Sequence, residues 1–178
     1  MEDLSLHILD IAENSINAQA KNIEITLSDN ENGIMSLVIS DDGSGMNREF
    51  TSKVTDPFIT TRTTRRVGMG IPFLKEAAHA AGGELLIESI PSVGSKITAT
   101  FRKDHIDRKP LGNITETIVI LIAGNPDVNF KYNHFINGNK FIFDTKEIRE
   151  AFQSVPINST QVLSFIRQYL TENINRKN

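Results

Sequence analysis

SDDGSGM, residues 40–46, decides how this chain is read. It follows GIMSLVIS (33–40), an alternating apolar segment of strand type. A carboxylate at the end of a buried strand must find a donor or stay hydrated, because burying it unpaired is costly. Gly43 and Gly45, just beyond Asp41, strip the backbone of side chains and permit left-handed torsions, so a flat group can approach closely. The result is a slot in which Asp41 can accept a hydrogen bond from an exocyclic amine such as adenine presents. An aspartate followed by glycines also describes an ordinary turn, so the weight falls on what flanks it.

Upstream, Leu4, Ile8, Ile11, Ala12 and Ile16 recur at helical spacing, which predicts an amphipathic helix from Leu4 to about Gln19. His7, Asp10, Asn14 and Asn17 form a second line on the same helix. A solvated face in this composition would carry Lys and Glu, whereas this one is built from short side chains of fixed reach. Asp10 and Asn14 stand one turn apart and can point at one ligand. An asparagine oxygen suits Mg²⁺, which keeps several waters and takes few protein ligands. An aspartate one turn away could orient or deprotonate an attacking water. Between this helix and residue 40, NIEITLS and GIMSLVIS alternate around DNENG, predicting a β-hairpin.

Downstream, a short helical stretch follows residue 47, and DPFITTRTTRRVGMG (56–70) is dense in hydroxyls and arginines and reads as a long loop. Gly68 and Gly70 lie directly before a helix expected to begin at Pro72, whose unpaired N–H groups and positive dipole end can bind phosphate oxygens. Thr60, Thr61, Thr63 and Thr64 supply hydroxyl donors, and Arg62, Arg65 and Arg66 supply charge. The loop could fold over a triphosphate. A P-loop is excluded, since nothing matches G-x-x-x-x-G-K-[ST], and the dinucleotide fingerprint is missing. The helix stops at Gly82 and Gly83, and ELLIESI and KITATFR form a second hairpin through PSVGS.

The rest of the composition narrows the field. With no cysteine, disulfides and thiol chemistry are excluded. A net charge of −3 leaves no electrostatic footprint for nucleic acid or an anionic membrane. No signal peptide opens the sequence and no apolar run approaches a membrane span, so a cytoplasmic location is expected. His7 and His79 read as packing or pocket-edge residues, and His105 and His134 lack partners at metal-ligand spacing.

KDHIDRKPLG (103–112) is polar and marks a boundary, giving either one domain with an extension or two small, closely packed domains: residues 1–104, then 113–178. The start of the second part is β-branched, yet Asn113 with Glu116 makes a capping box and Ile114, Ile118, Leu121 and Ile122 share a helical face, so a helix is preferred. A hairpin (VNFKYNH, KFIFD) and helices at about 145–153 and 159–173 follow. Phe130, Tyr132, Phe141 and Phe143 are expected to pack against the first domain or against the mate in a homodimer.

Each element is common, but their order is not. The sequence resembles the GHKL superfamily of ATPases, which includes gyrase-type topoisomerases, heat-shock chaperones, histidine kinases and MutL mismatch-repair proteins. LDIAENSINAQAKNIEITL looks like its N box, DDGSGM like its first glycine box, DPFITTRTTRRVGMGIPFLKEAAHAAGG like the lid and second glycine box, and GSKITATF like the last strand of the adenine site. The match covers roughly the first hundred residues. The resemblance implies an α+β Bergerat-type two-layer sandwich, a sheet covered on one side by helices, here with a C-terminal α+β extension, with ATP between sheet and helices under the lid. By position it implies Asn14 as the Mg²⁺ ligand, Asp41 as the acceptor for the adenine amine, and Gly43 and Gly45 as shapers of the base pocket. Gly68 and Gly70 would contact phosphates, Phe58 would anchor the lid, and Ser95 would help hold adenine. Two positions depart from the family pattern: Asp10 replaces the usual glutamate base and is one methylene shorter, and Arg66 stands where histidine kinases often have the first glycine. The phosphoacceptor helices of a histidine kinase are not expected, since the chain starts almost at the N box.

Three functional expectations result. The first is a stand-alone Mg²⁺-dependent ATP-binding protein whose nucleotide state moves the lid, alters contacts with a protein partner and permits slow hydrolysis. The second is a kinase acting in trans on a partner's Ser or His, similar to anti-sigma-factor kinases. The third is a non-hydrolysing interaction module stabilised by nucleotide, in which residues 113–178 do the work.

Overall fold

The computed structural model describes residues 3–54 and 70–174. Helix α1 (Leu4–Asn17) opens the fold, capped by Asp3, whose carboxylate accepts from the Leu6 N–H at 3.1 Å. Strands β1 (Asn22–Asp29) and β2 (Ile34–Asp41) pair antiparallel. After the short α2 (Arg48–Lys53) comes α3 (Gly70–Ala80), which begins at Gly70 and not at the expected Pro72. Proline costs nothing there, because the first-turn N–H groups have no intrahelical acceptor. Strands β3 (Leu85–Ile90) and β4 (Gly94–Arg102) form the second hairpin.

Beyond it, α4 (Ile114–Gly124) is the expected helix, with the Asn113 side chain accepting from the Glu116 N–H. Strands β5 (Asn129–Ile136) and β6 (Asn139–Asp144) and helices α5 (Thr145–Phe152) and α6 (Thr160–Ile174) complete the chain. One six-stranded sheet runs through both halves in the order β3-β4-β2-β1-β5-β6. Its joint is the parallel pair β1–β5, in which Ile23 faces Phe130 and Ile25 faces Tyr132.

The period of two along the strands sets the layers. Ile23, Ile25 and Leu27 on β1, Leu37 and Ile39 on β2, and Ala99 and Phe101 on β4 are all buried on one face. Leu4, Ile8, Ile11 and Ala12 of α1 complete that core. Tyr132 and Phe143 extend it without a break under α4 and α6. The segment before α4 is tied to the start of α1, where the Leu4 and Ser5 N–H groups donate to the Pro110 and Leu111 carbonyls at 2.9 Å. Among the described residues no helix is long and apolar enough to cross a membrane.

Candidate functional site

The same alternation that buries Ile39 places Asp41, two residues on, on the helix-covered face at the strand end. Register then lines up polar neighbours: Asp41 faces Ser95 on β4, and Ser95 faces Ser89 on β3. A row of oxygens therefore crosses three strands at one end of an otherwise apolar face. Asp41 Oδ2 accepts from Ser15 Oγ of α1 at 2.8 Å, and Oδ1 accepts from the Gly43 N–H at 2.9 Å. Ser15 is the residue after Asn14, so the first hydrogen bond joins the strand end to the N-terminal helix. Ser89 Oγ accepts from the Met46 N–H at 2.8 Å, donates to the Gly94 carbonyl at 3.0 Å and lies 2.9 Å from Ser95 Oγ. With the Ser89 proton on Gly94, Ser95 is the donor of that last pair and keeps its lone pairs for an incoming group.

The turn after Asp41 explains its glycines. Gly45 has φ +61, and a Cβ there would sit 2.1 Å from the Ile90 carbonyl oxygen. A Cβ on Gly43 would meet the Ala18 carbonyl oxygen at 2.9 Å. The turn is clamped from both sides, as Ser44 donates its N–H to Ala18 O and Ser92 donates to Ser44 O. Asp42 points the other way and accepts from the Lys21 and Asn22 N–H groups and from Asn22 Nδ2. Burial opposes its charge, but the Asn22 and Lys21 donors outweigh that and hold its carboxyl below the usual range. Asp41 is thus left to the inner face while Asp42 fastens β1.

On α1, Asp10 and Asn14 are both half-buried, one turn apart, and Gly70 at the start of α3 rests directly on Asp10. A Cβ at position 70 would fall 2.8 Å from Asp10 Cβ, so only glycine lets α3 approach that closely. Burial pushes the Asp10 carboxyl above its ordinary value. Asn14 Nδ2 is buried without a hydrogen-bond partner among the described residues. His7, one turn earlier and 1% exposed, has both ring nitrogens buried; among the described residues only the Gly70 backbone offers them a partner, short of full hydrogen-bond geometry, and burial lowers its pKa to about 4. Such groups cost free energy unless another partner serves them.

Asp10, Asn14, Asp41, Gly43, Gly45, Gly70 and Ser95 are thus placed around the interface of α1, α3 and the end of β2–β4. Phe58, Thr60, Thr61, Arg62 and Gly68 lie outside the described residues. Sequence reading missed Ser15 and Ser89. The signal for Ser15 was its position beside Asn14 on a buried helix. For Ser89 it was a hydroxyl at an inward position of ELLIESI.

This arrangement defines an ATPase-type domain. The chain belongs to the family described as histidine kinase-, DNA gyrase B-, and HSP90-like ATPase, whose model matches residues 2–105. A curated relative, the sensor histidine kinase YvrG of Bacillus subtilis (strain 168), is 29% identical over 91 residues, covering 49% of this chain and 16% of that protein. The chain therefore spans about a sixth of that relative's length. Among solved structures, the Aquifex aeolicus MutL ATPase domain complexed with ADP superposes with a TM-score of 0.51 at 16% identity, covering 86% of this chain and 70% of that one. The N-terminal domain of a DNA repair protein gives 0.57 at 14% identity, covering 98% and 57%. Both show the same α+β Bergerat-type fold.

Proposed function

We propose that this protein binds ATP between the end of β2 and helix α1 in a Mg²⁺-dependent manner. The observation that carries the reading is the Ser15–Asp41 hydrogen bond, which brings the strand-end carboxylate and the Asp10–Asn14 line of α1 to one place. Asp41 accepts from the adenine amine with Ser95 beside it, the tight Gly43–Gly45 turn shapes the base pocket, and the start of α3 at Gly70 faces the phosphates. The ADP complex of the MutL neighbour supports this choice of ligand.

A divalent ion fits the donor set. Among the described residues no cluster of three or more acidic or histidine side chains could hold a metal, which suits an ion held mainly by phosphate and water. Asn14 would contribute its amide oxygen, and when bound the ion would neutralise phosphate charge. Slow hydrolysis fits the short Asp10. The oxygen of a water held by Asp10 bonds to the γ-phosphorus as the bond to the bridging oxygen breaks; ADP leaves, and Asp10 takes the proton. Its raised pKa makes it a better proton acceptor than an exposed aspartate. In this reading, the nucleotide state moves the lid and changes contacts with a protein partner, a homodimer mate being one arrangement.

A second reading, transfer of the γ-phosphoryl group to a partner's Ser or His, is favoured by the similarity to a sensor histidine kinase. Calorimetric titration of the full chain with ATP, with and without Mg²⁺, tests the shared core. Binding that needs Mg²⁺ and is lost in Asn14→Ala is expected; no heat under either condition removes both readings. Release of inorganic phosphate, set against appearance of the γ-label on a second protein, then separates them. An Asp10→Asn variant that kept full partner function would favour the non-hydrolysing module.

A further inference from the structure

A second cavity lies far along the chain from the nucleotide boxes. It has a volume of 440 Å³ and sits between the N-terminus of α4, the β5–β6 hairpin and α6. Capping of α4 by Asn113 satisfies the Glu116 and Thr117 N–H groups and leaves those of Ile114 and Thr115 without intrahelical acceptors at the cavity edge. An eleven-residue helix carries a partial positive charge at that end.

Two buried side chains point to an occupant independently of the helix. His134 is 5% exposed, lines the cavity, and holds its Nδ1 2.7 Å from the Tyr132 hydroxyl. Tyr132 is 1% exposed, burial raises its pKa far above neutrality, and its hydroxyl makes no other hydrogen bond among the described residues. The tyrosine proton therefore lies toward Nδ1, which puts the ring proton of neutral His134 on Nε2. That N–H has no acceptor among the described residues. Thr115, 8% exposed, likewise lines the cavity with a hydroxyl that bonds to none of them. At the mouth, Arg167 gives Nε and Nη2 to Glu116 at 2.6 and 3.2 Å and keeps Nη1. Asp29, whose field reaches His134, is neutralised by Lys103.

We infer that this cavity binds a small monocarboxylate with an apolar body. Donors are in excess, with the Ile114 and Thr115 N–H groups, the Thr115 hydroxyl, His134 Nε2 and one Arg167 nitrogen. The net formal charge is near zero, because Glu116 offsets Arg167 and His134 is neutral. A monoanion balances the helix end, whereas a phosphate dianion would meet Glu116 without a second cation. Leu111, Ile136 and Ile174 supply an apolar wall for the tail, and the volume lies within the range of small-molecule sites.

The inference does not rest on the nucleotide reading, so its test uses the full chain without nucleotide. Hexanoate is titrated into ¹⁵N-labelled protein in phosphate-free buffer. Saturable shifts at the Ile114 and Thr115 amides and the His134 ring are expected, with inorganic phosphate binding more weakly. Thr115→Val should weaken hexanoate about five-fold, the equivalent of one hydrogen bond. Arg167→Gln, at a position whose side chain is about half exposed, should weaken it by as much or more and stands as the second variant if the first fails to fold. Absence of saturable shifts at these residues, tighter binding of phosphate, or unchanged affinity in a folded variant overturns the inference.

Discussion

Two polar constellations in this molecule contrast sharply. At the corner of β5 and α5, Arg149 donates to the Pro126 carbonyl at 2.7 Å, the Val128 carbonyl at 2.9 Å, Asn129 Oδ1 at 2.5 Å and Thr145 Oγ1 at 3.3 Å. On α1, both nitrogens of His7 and the amide nitrogen of Asn14 are buried with no well-formed hydrogen bond among the described residues. The first set is satisfied within the protein and fastens two elements. The second leaves desolvated groups unserved, which a fold tolerates where a ligand or its surroundings supply what is missing. The comparison separates polar residues that fasten the fold from polar residues that it leaves unserved.

The largest break should come from Asp41→Ala. It removes the proposed adenine acceptor together with the partner of Ser15 and Gly43, and ATP affinity should fall roughly a hundred-fold by calorimetry, the scale of hydrogen bonds to a charged group. A loss under about threefold would separate Asp41 from the ligand. Arg149→Met should do the opposite. Two backbone carbonyls lose their donor, so urea denaturation should report about 2 kcal/mol of lost stability while ATP affinity holds.

His7→Leu should stabilise the protein by about 1 kcal/mol at pH 7, because apolar replacement of a buried group with no well-formed hydrogen bond among the described residues removes its desolvation cost. The pH profile sharpens this. Between the ordinary value of 6.5 and the folded value of about 4, the unfolded chain takes up a proton on His7 that the folded one refuses, so wild-type stability falls as pH falls through that window. On the order of 3 kcal/mol is at stake by pH 4. His134, also lowered by burial, contributes in the same direction, so the difference between wild type and His7→Leu isolates position 7. A variant that melts with the same pH slope as wild type would show that His7 is not the source. The smallest structural effect belongs to Asn14→Ala. Stability should change by less than about 0.5 kcal/mol, since Nδ2 bonds to none of the described residues, while the Mg²⁺ dependence of ATP affinity disappears.

Much of this was legible in sequence because it is local. Helical spacing from Leu4, the alternation into Asp41 and the N-cap at Asn113 each need only a few neighbouring residues, and the structure carries all three, although the Glu116 carboxylate that a capping box would turn back to Asn113 goes to Arg167 instead. Long-range placement was not legible. Nothing in NFKYNHFI states that it pairs parallel with β1, where Asn133 reaches Glu24 and Thr26 at 2.7 and 2.9 Å. Nothing local to Ser15 states that β2 brings Asp41 against it. The role of Arg149 carries no sequence signal, since two of its acceptors are backbone carbonyls and the other two, Asn129 and Thr145, are brought to it by the fold. The threonines and arginine assigned to phosphate binding, with Phe58 and Gly68, lie outside the described residues.

Amide hydrogen exchange of the full chain with and without Mg²⁺ and ATP tests the central claim most directly. The account predicts slowed exchange at Gly43 to Met46 and along α1 around Asp10 to Ser15, with β5 and β6 unchanged. Exchange unaltered at the Gly43–Met46 turn, or protection confined to β5 and β6, would contradict it.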